Sequence, residues 1–199
     1  MSDHYINENS MCSLKEKLFF QEHTTPQEFT GKRILEVGSR YINGTIRTLV
    51  EPHNPSLYIG LDLILGNCVD VVFPAERMME IFYPEEFDVA ISMACVEHVD
   101  GWKTIISNMK KVLKVGGLII VETCTPRFPL HDYPSDYWRY TTDDMVRIFS
   151  DFEILVNETF PVVNGDFIFL KARKPEDWKE CSYDGVKLYS IKTKQKEDR

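Results

Sequence analysis

The sequence predicts an α/β fold in which helices cover both faces of a mostly parallel sheet. Short apolar runs without polar alternation, typical of strands buried on both faces, recur through the first part of the chain. Helical patterns and turns marked by glycine or proline separate these runs, so the strands are expected to be doubly wound. Two extended segments then follow one another across Asn164-Gly165, which predicts an antiparallel pair near the carboxyl terminus.

The elements follow one another in a regular order. Helices are predicted at 14–23, after Gly44, after Pro74, after a cap at Asp100 and after a cap at Thr141 or Thr142. We expect Gly116-Gly117 to end the helix that starts near Asp100. Helical spacing places Leu14, Leu18 and Phe19 on one side of the first helix, and it directs Met145, Val146 and Phe149 inward in the last. The predicted strands are 34–37, 56–62, 68–73, 87–93, 118–123, 152–160 and 166–173, with a further small strand suggested at 186–191.

Composition limits the classes of protein that this chain can represent. At 199 residues and 43% hydrophobic content, it can bury one substantial core. We expect an arm and covering helix in 1–30, one ligand-binding domain in 31–173 and a polar tail in 174–199. The net charge of −8 disfavours nonspecific nucleic-acid binding, which needs a basic surface.

Cysteine usage and hydropathy suggest an intracellular protein. The five cysteines lack C-x-x-C spacing, so we predict reduced thiols and no metal site. No basic start followed by an apolar run opens the chain, and no apolar run reaches membrane length. The sequence therefore predicts a cytoplasmic protein without a membrane partner, and it carries no indication of the oligomeric state.

The first predicted strand ends in a turn that is suited to ligand binding. Residues 34–37 form a short apolar run, and Gly38 follows, where the missing side chain lets the backbone approach a ligand closely. A helix then starts near Gly44 and directs free N–H groups at the loop. The loop is not a G-x-G-x-x-G dinucleotide fingerprint, because Arg40 and Ile42 stand where glycine is needed. Taken alone, this turn fits an ordinary strand-to-helix connection equally well.

An ordered set of motifs carries a resemblance to a known family. The motifs are ILEVG at 34–38, IGLD at 59–62, VDV at 69–71, FDVAIS at 87–92, VEHV at 96–99 and VLKVGG at 112–117. The chain resembles the class I S-adenosylmethionine-dependent methyltransferases of type 11, over about residues 30–173. Its G-S-R-x-x-N-G loop and H-x-Y-P-x-D-Y-W-R-x-T segment are similar to one subgroup. The resemblance implies a single-domain Rossmann-like doubly wound sheet of about seven strands, mostly parallel with an antiparallel carboxy-terminal strand.

The resemblance also implies which residues hold S-adenosylmethionine. Glu36 and the loop from Gly38 to Gly44 would face its methionine part, and Asp62 would accept hydrogen bonds from both ribose hydroxyls. Asp70 and Val71 would lie beside the adenine. The full set of implied cofactor-binding residues is Glu36, Gly38, Ser39, Gly44, Asp62, Leu63, Asp70, Val71, Met93, Ala94, Cys95 and His98.

The long segment after the fifth strand is the most unusual stretch of the chain. It follows the carboxyl end of a parallel strand, where such folds bind ligands, and a loop of this length is often functional. We expect its side chains to face a methyl acceptor. The catalytic candidates are His131 and Asp136, and the candidate substrate contacts are Tyr133, Tyr137, Trp138 and Arg139.

Each of these roles has a structural alternative. His131 suits a general base, since an unperturbed histidine has a pKa of ~6.5, but it would equally serve to close the loop by hydrogen bonds. Asp136 and Arg139 lie three residues apart, which favours an ion pair over a substrate clamp. Tyr137 and Trp138 suit a lid over the acceptor, although large aromatic side chains more often belong to the core.

The sequence as a whole predicts an S-adenosylmethionine-dependent methyltransferase. Its acceptor would be a small or sugar-like molecule methylated at oxygen or nitrogen. The alternative is a catalytically inactive S-adenosylmethionine-binding module that regulates a partner protein. A nicotinamide-dependent oxidoreductase would need the missing glycine fingerprint, and a nucleic-acid acceptor is disfavoured by the negative charge.

Overall fold

A seven-stranded sheet forms the centre of the molecule in the computed structural model, which describes residues 14–42, 44–131 and 135–198. Its strand order is β3-β2-β1-β4-β5-β8-β7, where the first five are parallel and β8 runs antiparallel to both neighbours. The strands are β1 Arg33–Val37, β2 Leu57–Asp62, β3 Val71–Val72, β4 Phe87–Met93, β5 Leu113–Cys124, β6 Trp138–Arg139, β7 Glu153–Val162, β8 Gly165–Arg173, β9 Leu188–Ser190 and β10 Lys196–Glu197. This sheet confirms the predicted fold class.

The helices cover both faces of the sheet. They are α1 Leu14–His23, α2 Arg47–Val50, α3 Trp102–Val112 and α4 Thr142–Ile148, and short 3-10 turns cover Pro26–Glu28, Glu51–His53, Ala75–Glu80 and Val96–His98. Two buried apolar clusters lie against the sheet. One includes Trp102 and Met109 of α3, and the other includes Phe20 of α1. None of the helices in the described ranges combines the length and apolarity needed to cross a membrane.

Helix α1 packs on the sheet by a different face from the one expected. Phe20 is buried and stacks on Phe29, with ring centroids 5.9 Å apart. Leu14 and Leu18, which the helical pattern assigned to the inner side with Phe19, are 58% and 55% exposed. The buried face instead carries Glu16 together with Phe20.

The start of β5 corrects the expected end of α3. The helix ends at Val112, and the strand begins at Leu113 because Leu113 pairs with Phe87 before the register shifts. Gly116 and Gly117 therefore lie inside an irregular part of the strand, with Gly116 at a φ of +76°. The helix also begins differently, since Gly101 and not Asp100 holds the N-cap position.

The third strand is shorter than predicted. Cys68 has a φ of 68°, which interrupts an extended run, and only Val71–Val72 pairs with β2. Beside it the Asp70 carboxylate accepts the backbone N–H of Gly60 at 2.7 Å. The Asp70 side chain thus takes the place of a backbone hydrogen bond that a longer β3 would make with β2.

Helix α4 begins with a reciprocal cap, as the sequence indicates. The Thr141 hydroxyl accepts the N–H of Asp144, and the Asp144 carboxylate accepts the N–H of Thr141. The expected inward face was wrong at Val146, which is 49% exposed, because Met145, Ile148 and Phe149 share the buried side at helical spacing.

The carboxy-terminal segment packs on the domain and is not simply solvated. β9 pairs antiparallel with β6, so that Trp138 lies opposite Ser190 in a small three-stranded sheet with β10. Val186, Leu188 and Ile191 are buried, which confirms the suggested small strand. The segment that follows β5 is thereby held from outside by the end of the chain.

Candidate active site

A cleft of about 390 Å³ lies at the carboxyl ends of β1, β2 and β4. This volume falls within the range usual for small-molecule sites, roughly 300–1,000 Å³. Ten of the twelve residues expected to hold a cofactor line it, namely Glu36, Gly38, Ser39, Gly44, Asp62, Leu63, Met93, Ala94, Cys95 and His98. Strand ends that are far apart in the sequence therefore meet at one cavity.

Gly38 allows the β1 and β4 loops to approach each other. Its φ is +80°, and a Cβ atom built there would lie 2.4 Å from the Cys95 sulfur. Any larger residue would force the two loops apart. The glycine after the first strand is thus required by close approach as well as by backbone conformation.

Asp62 is held at the tip of β2 by backbone donors. Its two carboxylate oxygens accept the N–H groups of Arg40 at 3.2 Å and Ile64 at 2.9 Å. Each oxygen of a carboxylate can accept more than one hydrogen bond. The side chain is therefore fixed in orientation and retains acceptor capacity at the cleft.

Asp70 and Val71 are not among the residues that line the cleft. The Asp70 carboxylate binds the Arg47 guanidinium at 2.8 Å and the N–H of Gly60 at 2.7 Å. Arg47 lies over the ring of Tyr58, 4.8 Å from its centroid. These contacts give Asp70 a role in joining α2 to β2, and the structure does not bring it to the cleft wall with the other residues expected to hold the cofactor.

Glu36 is a buried carboxyl group on the cleft wall. Burial raises its pKa to about 7, although the hydrogen bond from the Tyr58 hydroxyl and the charge of Arg47 oppose the shift. The Tyr58 oxygen lies 2.7 Å from the carboxylate. Glu36 therefore changes its charge close to neutral pH.

Glu122 is a cleft residue that the sequence reasoning missed. It lies on β5 opposite Met93, is 1% exposed, and its Oε2 atom has no hydrogen-bond partner among the described residues. Burial, reinforced by the charges of Glu16 and Glu97, raises the pKa of this carboxyl group well above its usual range. A lone acidic residue at the end of an otherwise apolar strand was the signal that could have identified it.

His98 ends the 3-10 turn after β4 and lines the same cleft. Its Nδ1 atom makes a hydrogen bond with the backbone carbonyl of Ser135. Its Nε2 atom is buried and finds no partner in the part of the chain that the structure describes. One ring nitrogen is thus held by the loop, whereas the other belongs to the wall of the cavity.

His131 lies behind His98 and does not line the cleft. The two rings meet edge to face with centroids 4.9 Å apart. Nδ1 of His131 lies 3.1 Å from Asp136, and Nε2 lies 3.9 Å from Glu97 and from the Cys124 sulfur. Burial opposes protonation of His131, but the Asp136 and Glu97 carboxylates outweigh it and raise the pKa of the imidazole above its usual value.

Asp136 and Arg139 form a fully buried ion pair. The guanidinium donates to both carboxylate oxygens, at 2.5 and 2.6 Å, and also to the carbonyls of Phe128 and Pro129. Burial would raise the pKa of Asp136, yet the hydrogen bonds from Arg139 and His131 hold it well below its usual range. Neither residue is among those lining the cleft, and the ion pair is the structural alternative that the spacing of Asp136 and Arg139 favours.

The aromatic residues of this segment divide into two groups. Tyr137 lines the cleft. Trp138 is fully buried, and its indole N–H donates to the backbone carbonyls of Val99 and Asp100, so it belongs to the core instead of contacting an acceptor. Tyr133, the remaining candidate substrate contact, lies outside the described residues.

A cluster of metal-binding atom types lies under the loop. Oxygen, sulfur and nitrogen atoms of Glu97, Cys124 and His131 lie within 4.8 Å of one another. The Cys124 thiol donates to Glu97 at 3.3 Å, and burial together with the Glu97 charge raises the pKa of the thiol well above its usual value. The side chains satisfy one another through these contacts, so we describe the cluster as a hydrogen-bonded one.

Comparison with known proteins agrees with this architecture. Residues 3–155 match the model of a protein family described as a methyltransferase domain. The chain belongs to this family. The match spans the methyltransferase domain from its amino-terminal helix to β7, and includes all the strands that contribute to the cleft.

The methyltransferase domain is also similar to individual proteins. Ubiquinone biosynthesis O-methyltransferase of Brucella anthropi is 29% identical over 137 residues, which cover 60% of this chain and 53% of that enzyme. The chain thus spans about half the length of this curated relative.

Solved structures share the fold at low identity. The 1,6-didemethyltoxoflavin-N1-methyltransferase of Burkholderia thailandensis, crystallised with 1,6-didemethyltoxoflavin and S-adenosylhomocysteine, is 15% identical with a TM-score of 0.65 over 87% of this chain and 82% of that one. The [4+2]-cyclase SpnF is 18% identical with a TM-score of 0.62 over 81% of each chain. The same sheet therefore supports more than one reaction, and the activity has to be argued from the site.

Proposed function

We propose that this methyltransferase domain transfers a methyl group from S-adenosylmethionine to an oxygen or nitrogen of a small-molecule or sugar-like acceptor. The observation that carries the proposal is the fixed carboxylate of Asp62 at the tip of β2, on the wall of a cleft that also contains the Gly38 turn. A carboxylate in this position suits the vicinal ribose hydroxyls of a nucleoside, which donate to paired acceptor oxygens.

The charges around the cleft support a positively charged ligand. Five of the described residues that line the cleft carry carboxyl groups. Arg40 is the single arginine or lysine among these described lining residues. The acidic residues are Glu36, Asp62, Glu76, Asp100 and Glu122. Burial raises the pKa of Glu36 to about 7 and that of Glu122 well above its usual range, so the other carboxylates, with Asp62 fixed at the tip of β2, supply most of the negative charge that favours the sulfonium of S-adenosylmethionine over the neutral sulfur of its product.

The protein residues would act mainly by alignment and exclusion of water. When bound, S-adenosylmethionine supplies an electrophilic methyl group for an in-line displacement. Tyr137 and Ser135 line the cleft next to His98, so the loop before α4 would cover the acceptor. The buried pair of Asp136 and Arg139 would hold this loop in place, which keeps the reacting atoms close.

Calorimetry and a transfer assay test the proposal together. S-adenosylmethionine and S-adenosylhomocysteine are titrated into protein whose folding is verified by circular dichroism. Tritiated methyl transfer is then measured with hydroxylated aromatic compounds, amines and sugars. Binding followed by transfer supports the proposed function, and no heat from either cofactor form contradicts it. Binding without transfer to any acceptor, with stable co-purification of a partner protein, favours the alternative of an inactive regulatory module.

A further inference from the structure

The hydrogen bond from His98 to Ser135 determines which ring nitrogen carries a proton. A backbone carbonyl can only accept, so Nδ1 of His98 must be the donor in this contact. In the neutral imidazole the other nitrogen then carries a lone pair. The loop that holds Ser135 thus gives His98 one defined tautomer, with Nε2 as a hydrogen-bond acceptor.

That acceptor atom is buried at the cleft without a protein partner in the described ranges. A buried polar atom without a partner is costly, so a ligand or an ordered water molecule commonly satisfies it. Two other buried atoms of cleft residues also lack a hydrogen-bond partner in the described ranges. They are the hydroxyl oxygen of Ser39 and Oε2 of Glu122. Of these three atoms, Nε2 of His98 is the one that can only accept a hydrogen bond, because a hydroxyl or a protonated carboxyl group can also donate.

His131, the second histidine of this region, does not offer a ring nitrogen to the cleft. Nδ1 of His131 contacts Asp136 at 3.1 Å, and its Nε2 faces Glu97 and Cys124 in the buried cluster. Both ring nitrogens of His131 therefore face protein groups behind the cleft wall and not the cavity itself. His131 can position the His98 ring, whose edge it contacts.

We propose that Nε2 of His98 accepts the proton of a neutral hydroxyl acceptor during methyl transfer. This inference rests on the proposed function and names both the base and the acceptor class. The oxygen lone pair forms the new C–O bond, and the C–S bonding pair goes to sulfur, which becomes neutral. The hydroxyl proton goes to Nε2, and the resulting imidazolium returns it to water after the products leave.

A neutral acceptor follows from the surroundings of His98. Glu97 precedes it in the turn, Asp62 and Asp100 line the same cleft, and His131 packs on its edge. Carboxyl groups in a partly dry cavity disfavour an anionic oxygen that has already lost its proton. A hydroxyl that enters neutral must lose its proton during the reaction, and His98 is placed to take it.

Nuclear magnetic resonance tests the tautomer without any acceptor. Protein labelled with [¹⁵N]histidine and loaded with S-adenosylhomocysteine is recorded at about pH 8.5, well above the ordinary histidine pKa of ~6.5. Long-range ¹H–¹⁵N correlations are assigned to His98 by their loss in His98→Gln. We expect a proton on Nδ1 and an unprotonated Nε2. A proton on Nε2 would overturn the inference, whereas failure of the labelled protein to bind S-adenosylhomocysteine would overturn the proposed function.

A kinetic comparison then tests the role of that nitrogen. Catechol, phenol and resorcinol serve as neutral hydroxyl probes in the tritiated methyl assay. We expect His98→Gln to lower kcat, measured at saturating S-adenosylmethionine, by about 10²- to 10⁴-fold, the usual contribution of general base catalysis. His53→Gln, a histidine outside the cleft, is the matched control and should retain wild-type turnover. Equal turnover in His98→Gln, or cofactor binding by wild type without transfer to any of the three probes, would overturn the inference.

Discussion

The cleft wall and the buried cluster beneath it use similar residues in opposite ways. We call Glu97, Cys124, His131, Asp136 and Arg139 the Asp136 cluster. In this cluster, charged and polar atoms bind one another, as in the paired hydrogen bonds from Arg139 to Asp136. On the cleft wall, buried atoms of Ser39, His98 and Glu122 have no partner among the described residues. The contrast indicates that the cluster holds the loop, whereas the wall is built for a ligand.

The largest expected effect comes from breaking the ion pair of the Asp136 cluster. Arg139→Met leaves the Asp136 carboxylate buried without its partner, so we expect the free energy of unfolding to fall by about 3–5 kcal/mol. Urea denaturation measures this loss. The double variant Asp136→Asn with Arg139→Met should recover much of it, because no buried charge then remains.

An exposed ion pair provides the matched control. Arg77 and Glu80 are also three residues apart and 2.7 Å from each other, but both are solvent-exposed. Arg77→Met should leave the urea midpoint unchanged. If Arg139→Met behaves like Arg77→Met, the loop is not held by the buried pair.

The second effect is the pH dependence that Glu36, on the cleft wall, gives to the free energy of unfolding. Its pKa is raised from 4.5 to about 7 by burial, so the folded protein binds a proton that the unfolded chain releases between these values. The stability contribution is fully present below pH 4.5 and is lost as the pH rises through about 7. Relative to Glu36→Gln, the wild type should lose about 3 kcal/mol of unfolding free energy over this window. A pH-independent difference between the two proteins in urea titrations would contradict a buried, titrating Glu36.

A smaller effect is expected for ligand binding at the tip of β2. Asp62→Ala removes two charge-assisted acceptors, and we expect S-adenosylhomocysteine affinity to fall by roughly tenfold to a hundredfold in calorimetry. Asp70→Ala is the matched control, since its carboxylate binds Arg47 and Gly60 away from the cleft. Unchanged affinity in Asp62→Ala, or an equal loss in Asp70→Ala, would remove the ribose assignment.

The smallest effect tests the unpaired atoms of the cleft wall. Ser39→Ala deletes a buried hydroxyl that has no partner in the described chain, so the ligand-free protein should become more stable by up to about 1 kcal/mol. S-adenosylhomocysteine should bind a few-fold more weakly to this variant. Destabilisation of the ligand-free protein, seen as a lower thermal midpoint, would show that the hydroxyl is already satisfied.

Local sequence signals predicted much of the sheet and of the cleft. The apolar run of β4 predicted residues 87–93 without error, and the Asn164-Gly165 turn predicted the β7–β8 hairpin. The resemblance to class I methyltransferases implied that Asp62 and His98 lie at one site, and both line the cleft, because the carboxyl ends of parallel strands share one edge of a sheet.

The errors arose where distant segments decide the outcome. Leu113 joins β5 because Phe87 pairs with it, so Gly116-Gly117 could not be recognised as a strand irregularity from the helix pattern. Trp138 is buried because the far end of the chain adds β9 beside it. Glu122 was missed although it is a lone acidic residue near the end of an apolar strand, and its pairing opposite Met93 brings it to the cleft.

A crystal structure with S-adenosylhomocysteine bound tests the central claim most directly. We expect both ribose hydroxyls to donate to the Asp62 carboxylate and the sulfur to lie on the side of the cleft that carries His98 and Glu122. An open volume beside the sulfur would then give the size of the acceptor. Ribose contacts to Asp70 in place of Asp62, or a sulfur that faces away from His98, would contradict the account.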